Sequence, residues 1–474
     1  MRNLRSKTLQ VCALAMLLIM LAPPAVCSAR KVQFASAHSF ASGIDQPLCV
    51  ATGDFNHDGY PDLAVTGYST SQSTYLVSVL LNKGNGTFAG FSVYVLDFYV
   101  VGCLSVADFN NDGNLDILVV GGDTAGNGIA LLTGDGKGSF NGPGYMPNLM
   151  AGAAITVTVG DLNKDGAADL FIGGNGSSQS SFGDGKGHFQ DGAQLNQSGF
   201  DVALRDLNGD GNLDAVVAGA NTNQIAVFIG KGDGSFQDPN YYTNLNSPGG
   251  VAIGDFNRDG KLDLAVSIEL DASVEIFFGT GDGTFTAGQE WLALGARKVL
   301  TQDFNKDGNL DLAVSSPVFN RVSVLPGRGD GTFPIADNFP TGTNPFGLAS
   351  ADFNQDGSVD LVTCNHDDGT ISVLPNADGT FVTLSSAPNP SKNGEPVTFT
   401  VTVASSLKPT IKGTGSVMLS ARSKKSPRIK LVNGVATFTT SQIPPGSYKV
   451  TATYSGDSNF NPNASAPLTQ KVEP

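Results

Sequence analysis

Seven times this chain writes the nine-residue pattern D-x-N-x-D-G-x-x-D, and each copy runs straight into aliphatic residues, as in DFNHDGYPDLAV. The copies start at Asp54, Asp108, Asp161, Asp206, Asp255, Asp303 and Asp352, separated by 54, 53, 45, 49, 48 and 49 residues. A period of that length across 474 residues argues for one large repeat architecture with an accessory domain. Within a unit, a short strand such as VAIGD precedes the pattern and an aliphatic run such as LAV, ILV or AVV follows it. Runs that are apolar on consecutive residues are strands buried on both faces, and so belong to stacked sheets. A third strand, such as VEIFFG or RVSVLPG, and a Gly-bearing turn closed by Phe, such as GDGTF, bring each unit to four strands.

Phe34 lies 20 residues before Asp54, just as Phe88 lies 20 before Asp108, so the chain begins with a fourth strand that has no unit of its own. At the other end the seventh unit stops soon after Phe381. The expected fold is therefore all-β: a seven-bladed β-propeller in which 31–40 completes the seventh blade and leaves no long sheet edge bare. Blade three is expected to be the weakest, because SSQSSFGDG makes a poor strand.

Comparing the copies position by position separates chemistry from filler. Position 3 is always Asn: Asn56, Asn110, Asn163, Asn208, Asn257, Asn305 and Asn354. Position 5 is always Asp: Asp58, Asp112, Asp165, Asp210, Asp259, Asp307 and Asp356. Position 9 is Asp again: Asp62, Asp116, Asp169, Asp214, Asp263, Asp311 and Asp360. Position 7 varies, through Tyr60, Asn114, Ala167, Asn212, Lys261, Asn309 and Ser358, so a backbone carbonyl is the ligand expected there. Position 6 is always Gly, position 2 is Phe or Leu as an anchor, and position 4, from His57 to Gln355, reads as solvent-facing. Hard oxygen donors at alternate positions of a Gly-enabled turn are what Ca²⁺ takes, and three carboxylates so close repel without a cation. The expected cofactor is thus Ca²⁺, up to seven ions with a structural role. An EF-hand is excluded, because its position-12 Glu is replaced by residues such as Val65, Val119 and Thr363. A dockerin fails on the same ground. The competing reading is seven Asx-type turns without metal.

These motifs, D-x-N-x-D-G-x-x-D with DLAV, resemble the FG-GAP repeat family, also described as VCBS-type repeats, over about 31–384. The resemblance implies a propeller like that of integrin α-subunit heads, with calcium in the hairpin loop joining a blade's first two strands. It also implies that calcium mostly stiffens the blade while ligands bind elsewhere on the rim or top face.

The first 29 residues read as a signal peptide: Arg2, Arg5 and Lys7 precede a short apolar run, and cleavage is expected near 27–29. Its apolar core, 11–22, is too short to span a bilayer, and no later segment could do so. A lipoprotein anchored through Cys27 fits less well, because Val26 precedes it. Cleavage removes those three cations and no acid, taking the formal charge from −15 to −18, which argues against nucleic acid as a partner. Cys49, Cys103 and Cys364 then remain. Cys49 and Cys103 each lie five residues before a loop's first Asp, and a disulfide and a pair of buried thiols both suit them.

From 385 the loops cease, and alternating strands such as VTFTVTV and YKVTATYSGD indicate an immunoglobulin-like β-sandwich over 385–474. That stretch resembles bacterial Ig-like repeat domains, which commonly act as spacers. His38, His57, His188 and His366 are scattered and no nucleophile elbow or zinc cluster is present, so no catalytic residue is assigned. The expected function is a secreted or surface-displayed, monomeric, calcium-stabilised binding or adhesion module for an extracellular protein or glycan. A calcium-dependent lectin is the main alternative, and a polysaccharide lyase or hydrolase the second. The segments TGYSTSQST, GGDTAGNG and NGPGYMPNLM are candidate contact loops. Trp291, the only Trp, is either a sugar platform or a core or blade-interface residue.

Overall fold

The computed structural model describes residues 32–98, 100–123, 126–147, 153–376, 380–404, 412–422, 424–457 and 463–474. The expected leader lies outside them. The fold is all-β: a seven-bladed propeller and a β-sandwich, the only helical turns among the described residues being Ala220–Thr222 and Pro317–Phe319. Blade one is the antiparallel sheet Gln46–Gly53, Asp62–Ser69, Thr74–Leu80 and Ser92–Leu96, and the next five blades repeat that order. Each second strand opens on the ninth loop residue, and most are buried end to end, as in Asp263–Ile268 and Asp311–Ser316. That is why these strands are aliphatic on consecutive residues.

Blade seven consists of Pro345–Ala351, Asp360–Asn365 and Thr370–Leu374, and its fourth strand is His38–Ala41 from the chain's start. His38 stands opposite Val373 and Ala41 opposite Thr370, and Ala35 N–H donates to Pro375 O at 2.8 Å. The ring therefore closes as the Phe34 offset predicts.

The two aromatic positions of the repeat meet across the blade interfaces. The position-2 residue of one loop packs edge-on against the closing-turn Phe of the next blade: Phe55 on Phe140 at 5.3 Å, Phe109 on Phe189 at 5.8 Å, Phe256 on Phe333 at 5.8 Å. Phe353 meets Phe88 at 6.1 Å, and Phe304 meets Phe34 itself at 5.6 Å. Phe34 is thus the missing member of the ring. Edge-to-face pairs of this kind add about 0.5–1.5 kcal/mol each beyond their area burial.

Blade three departs from expectation. Ser178–Gly183 is a regular third strand whose Ser178, Gln179, Ser180 and Ser181 are all buried. Hydrogen bonds replace apolar packing at three of the four: Ser178 Oγ donates to Gln197 O at 2.8 Å, Ser180 Oγ to Gly234 O at 3.2 Å, and Gln179 Nε2 to Asp191 Oδ1 at 2.9 Å, while Ser181 Oγ has no partner among the described residues. Small hydroxylated side chains with local acceptors can be buried at little cost, which propensity alone does not reveal. A second departure concerns NGPGYMPNLM. Phe140–Pro147 is the fourth strand of blade two, not a loop, and 148–150 lie outside the described residues.

In the sandwich, Phe381–Ala387, Val397–Ala404 and Val435–Thr440 form one sheet, so a strand of this domain runs through 384 and 385. The other sheet is built on Ser416–Ala421, Gly446–Tyr454 and Leu468–Glu473. Val397, Phe399, Val401 and Val403 point inward against Val417, Ala452 and Tyr454, which is the alternation seen in the sequence. Asn463 Nδ2 donates to Asp356 O at 2.8 Å and to Thr380 O, tying the sandwich to the seventh loop of the propeller.

Candidate metal centres

All seven loops join a first strand to a second, so they share one face of the ring with the closing turns. In every loop the ninth-position Asp is buried, and its carboxylate bridges two backbone N–H groups. In blade five Asp263 Oδ2 accepts from Phe256 N–H and Oδ1 from Gly279 N–H, both at 2.9 Å. In blade one the donors to Asp62 are Phe55 and Asn82, and in blade seven the donors to Asp360 are Phe353 and Asn376. Position 9 therefore fastens the loop to the end of the third strand.

The remaining donors organise the turn. Asp54 Oδ1 and Oδ2 accept from Asp58 N–H and Gly59 N–H, Asn56 Oδ1 accepts from Asp58 N–H, and Asp58 Oδ1 accepts from Tyr60 N–H. The corresponding bonds recur in the other loops, for example at Asp108, Asp161, Asp206, Asp303 and Asp352. Among the described residues no three His, Cys, Asp or Glu side chains are drawn together into a ligating cluster. The carboxylates hold N–H groups instead. The donor set is nevertheless all oxygen, as a hard cation takes, although Lys164, Arg258 and Lys306 bring positive charge to the loops of blades four, six and seven. In the seventh loop Asp356 Oδ2 is buried with no hydrogen bond of normal length, although the adjacent Asn354 amide bears on its charge.

Burial raises these carboxyls. Desolvation, reinforced by Asp54 and Asp58, lifts Asp62 to about 6; it lifts Asp311 to about 7 and Asp360 to about 8. A folded-state pKa above the unfolded value means the folded protein holds extra protons between them, so stability is greatest at low pH and is lost as pH rises through the folded pKa. In chelating buffer the melting temperature should therefore fall from pH 5 to pH 8. A thermal melt series shows this, and a rising or flat trend contradicts it.

Position 4 is more than solvent-facing. Each of these residues adopts a positive φ, from 52° at Lys306 to 76° at Gly209, and several reach the next blade's loop. His57 Nε2 is 3.1 Å from Asn114 Oδ1, while Arg258 donates to Gly308 O and Lys306 to Gly357 O. Backbone latches run beside them: Gly138 N–H donates to Phe55 O and Gly331 N–H to Phe256 O, both at 2.9 Å. Each loop is thus wired to its own blade by position 9, and most are tied to their neighbour by position 2, position 4 or both.

The comparisons with known proteins follow this geometry. The FG-GAP-like repeat matches at 54–119, 108–172, 161–217, 206–266 and 303–363, more than half of the chain. The chain belongs to the FG-GAP-like repeat family. Residues 384–473 match the bacterial Ig-like domain, group 3. This FG-GAP-like propeller is similar to a chain in the crystal structure of BBS1N in complex with ARL6DN, soaked with lead, at TM-score 0.50 and 13% identity, covering 73% of this chain and 97% of that one. A structure of an Agrocybe aegerita lectin recognising non-reducing terminal N-acetylglucosamine matches at TM-score 0.44 and 18% identity, over 68% and 87%. At such identity the first bears on fold alone, and the second is too distant to bear on anything. No curated protein sequence matches the chain.

The other sequence candidates divide. Cys49 and Cys103 form a disulfide between the first strands of blades one and two, while Cys364 is buried and free. The loop in TGYSTSQST is held by Asp45, whose Oδ2 accepts from Thr70 Oγ1 at 2.9 Å and Ser71 N–H at 3.1 Å. Part of GGDTAGNG lies outside the described residues. His188 pairs with Asp184 at 3.1 Å in a surface turn, and His366 with Asp367 at 2.6 Å. Trp291 is half-buried at the interface of blades five and six, edge-on to Phe333 at 6.2 Å, and its indole N–H is buried without a partner among the described residues. This placement counts against a sugar platform. Its emission should shift to the red only when that interface opens, and should not move on adding sugars; a sugar-induced shift in a fluorescence titration contradicts the assignment.

Proposed function

We propose that the chain is a non-enzymatic, calcium-stabilised binding module working outside the cell, with the propeller as the binding element and the Ig-like domain as its spacer. One observation carries this reading: seven matching oxygen-donor loops are built into the joints between blades. In each loop the side chains at positions 1, 3, 5 and 9 and the carbonyl at position 7 would hold the ion. Bound calcium supplies positive charge that offsets the buried carboxylates. The chain's own residues do the rest, since position 9 fixes the third strand and position 2, position 4 or both tie most loops to the neighbouring blade, so a charge-balanced loop keeps the ring rigid.

Among the described residues no helix is long and apolar enough to cross a membrane. The sandwich is tied to the loop-bearing face at blade seven, so the hairpins of the opposite face remain open to a partner.

Melting curves with millimolar calcium and with EDTA test the metal; extracellular calcium modules often bind at about 10⁻⁴–10⁻³ M. The expected result is a clear fall in melting temperature on chelation, and superimposable curves overturn the calcium part. An array of glycans and matrix proteins, probed in both buffers, tests the module. A hit lost in EDTA supports the whole reading. Turnover of a polysaccharide on the array overturns it.

A further inference from the structure

The seven first strands line an axial channel whose mouth, on the face opposite the metal loops, opens into a cavity of about 400 Å³. One wall carries the Cys49–Cys103 disulfide, another Phe346, and four charged side chains reach it: Asp201, Glu269, Arg297 and Lys298. Two of these are matched. Lys298 Nζ is 2.5 Å from Asp201 Oδ1, and Asp201 Oδ2 accepts from Val251 N–H at 3.0 Å. Arg297 is matched more loosely: its Nη1 forms an ion pair with Glu269 Oε1 at 4.0 Å, its guanidinium carbon sits 4.0 Å from the Phe346 ring centroid, and among the described residues its side chain makes no hydrogen bond. Burial pulls its pKa down, and Glu269 only partly opposes that. A guanidinium stacked by its face leaves its edge N–H groups free, and that edge matches a carboxylate with two parallel bonds.

We propose that this channel mouth binds the carboxylate of a sugar acid, with Arg297 as its bidentate partner. The proposal rests on the propeller being a binding module and names its ligand class. The volume lies within the usual range of small-ligand pockets, roughly 300–1,000 Å³, and suits a sugar ring; an acidic peptide side chain leaves most of it empty. Phe346, packed against the His366 ring at 4.9 Å, carries the guanidinium on its face and so positions Arg297, and Thr156 and Thr158 also stand on the lining. Because the sandwich is tied to the other face, the mouth stays accessible.

Isothermal titration of the full chain in millimolar calcium, with glucuronate, glucose and N-acetylglutamate amide, tests this. Glucuronate should bind at least about tenfold more tightly than glucose, and Arg297→Gln should weaken it about ten- to hundredfold while its melting curve stays at the wild-type position. Arg297→Lys should restore only part, because an ammonium cannot make the paired bonds. Equal affinity for glucuronate and glucose, no heat with glucuronate, or unchanged affinity in Arg297→Gln overturns the site. Tighter binding of N-acetylglutamate amide than of glucuronate overturns the sugar-acid assignment. If an array ligand is still held by Arg297→Gln, the module reading stands and this site falls.

Discussion

Asp263→Ala should melt far below the wild-type protein in calcium and in chelating buffer alike. Its two oxygens occupy Phe256 N–H and Gly279 N–H, and removing them leaves two buried donors unpaired at about 1–3 kcal/mol each. Relief of a buried charge offsets part of this, since desolvation raises the Asp263 pKa. A net shift on the order of 5–15 °C is expected at a few degrees per kcal/mol. Asp259→Ala, in the same loop but exposed, makes the contrast. Its carboxylate holds Lys261 N–H and the Asn257 amide in a solvated turn, so its loss should be felt mainly in calcium. If both variants lose stability in calcium only, position 9 is a ligand and nothing more, and the structural role argued from its hydrogen bonds is wrong.

The second large effect belongs to the Cys49–Cys103 disulfide, which closes a loop with a sequence separation of 54. On the chain-entropy account such a bridge stabilises by about 4 kcal/mol through the unfolded state. Cys103→Ser, or reduction of the wild type, should lower the melting temperature by roughly 10 °C with blade structure retained at low temperature. The measurement is a melt with and without reductant; coincident curves would show that packing of blades one and two already fixes these strands. Cys103→Ser should also be insensitive to reductant, which separates the bridge from any effect of the reagent.

The fold was readable because its repeat is dense. Seven copies fixed the blade count, and the offset of Phe34 from Asp54 announced how the ring closes. The reason for that offset, a Phe that completes a circle of interblade pairs, needed coordinates, since no single unit contains both partners. Position 4 was unreadable for the opposite reason. His57, Lys164, Arg258 and Gln355 share no chemistry, and what unites them is a left-handed backbone aimed at the next loop. The serines of blade three were misleading because their acceptors, Gln197 O and Gly234 O, come from connecting segments, the second in the next blade. The channel mouth was invisible in the sequence, where Asp201, Glu269, Arg297 and Phe346 are strewn across nearly 150 residues.

His38–Ala41 and its partner Thr370–Leu374 stand more than 300 residues apart, so a growing chain makes the first strand long before there is anything to zip it to. At about 5–20 residues per second the wait is roughly 15–70 s. During that interval six blades form an open arc with a bare edge at one end and a loose strand at the other. Two such arcs side by side can exchange strands, each chain closing its neighbour. Dilution during refolding should therefore raise the share of rings closed within a single chain.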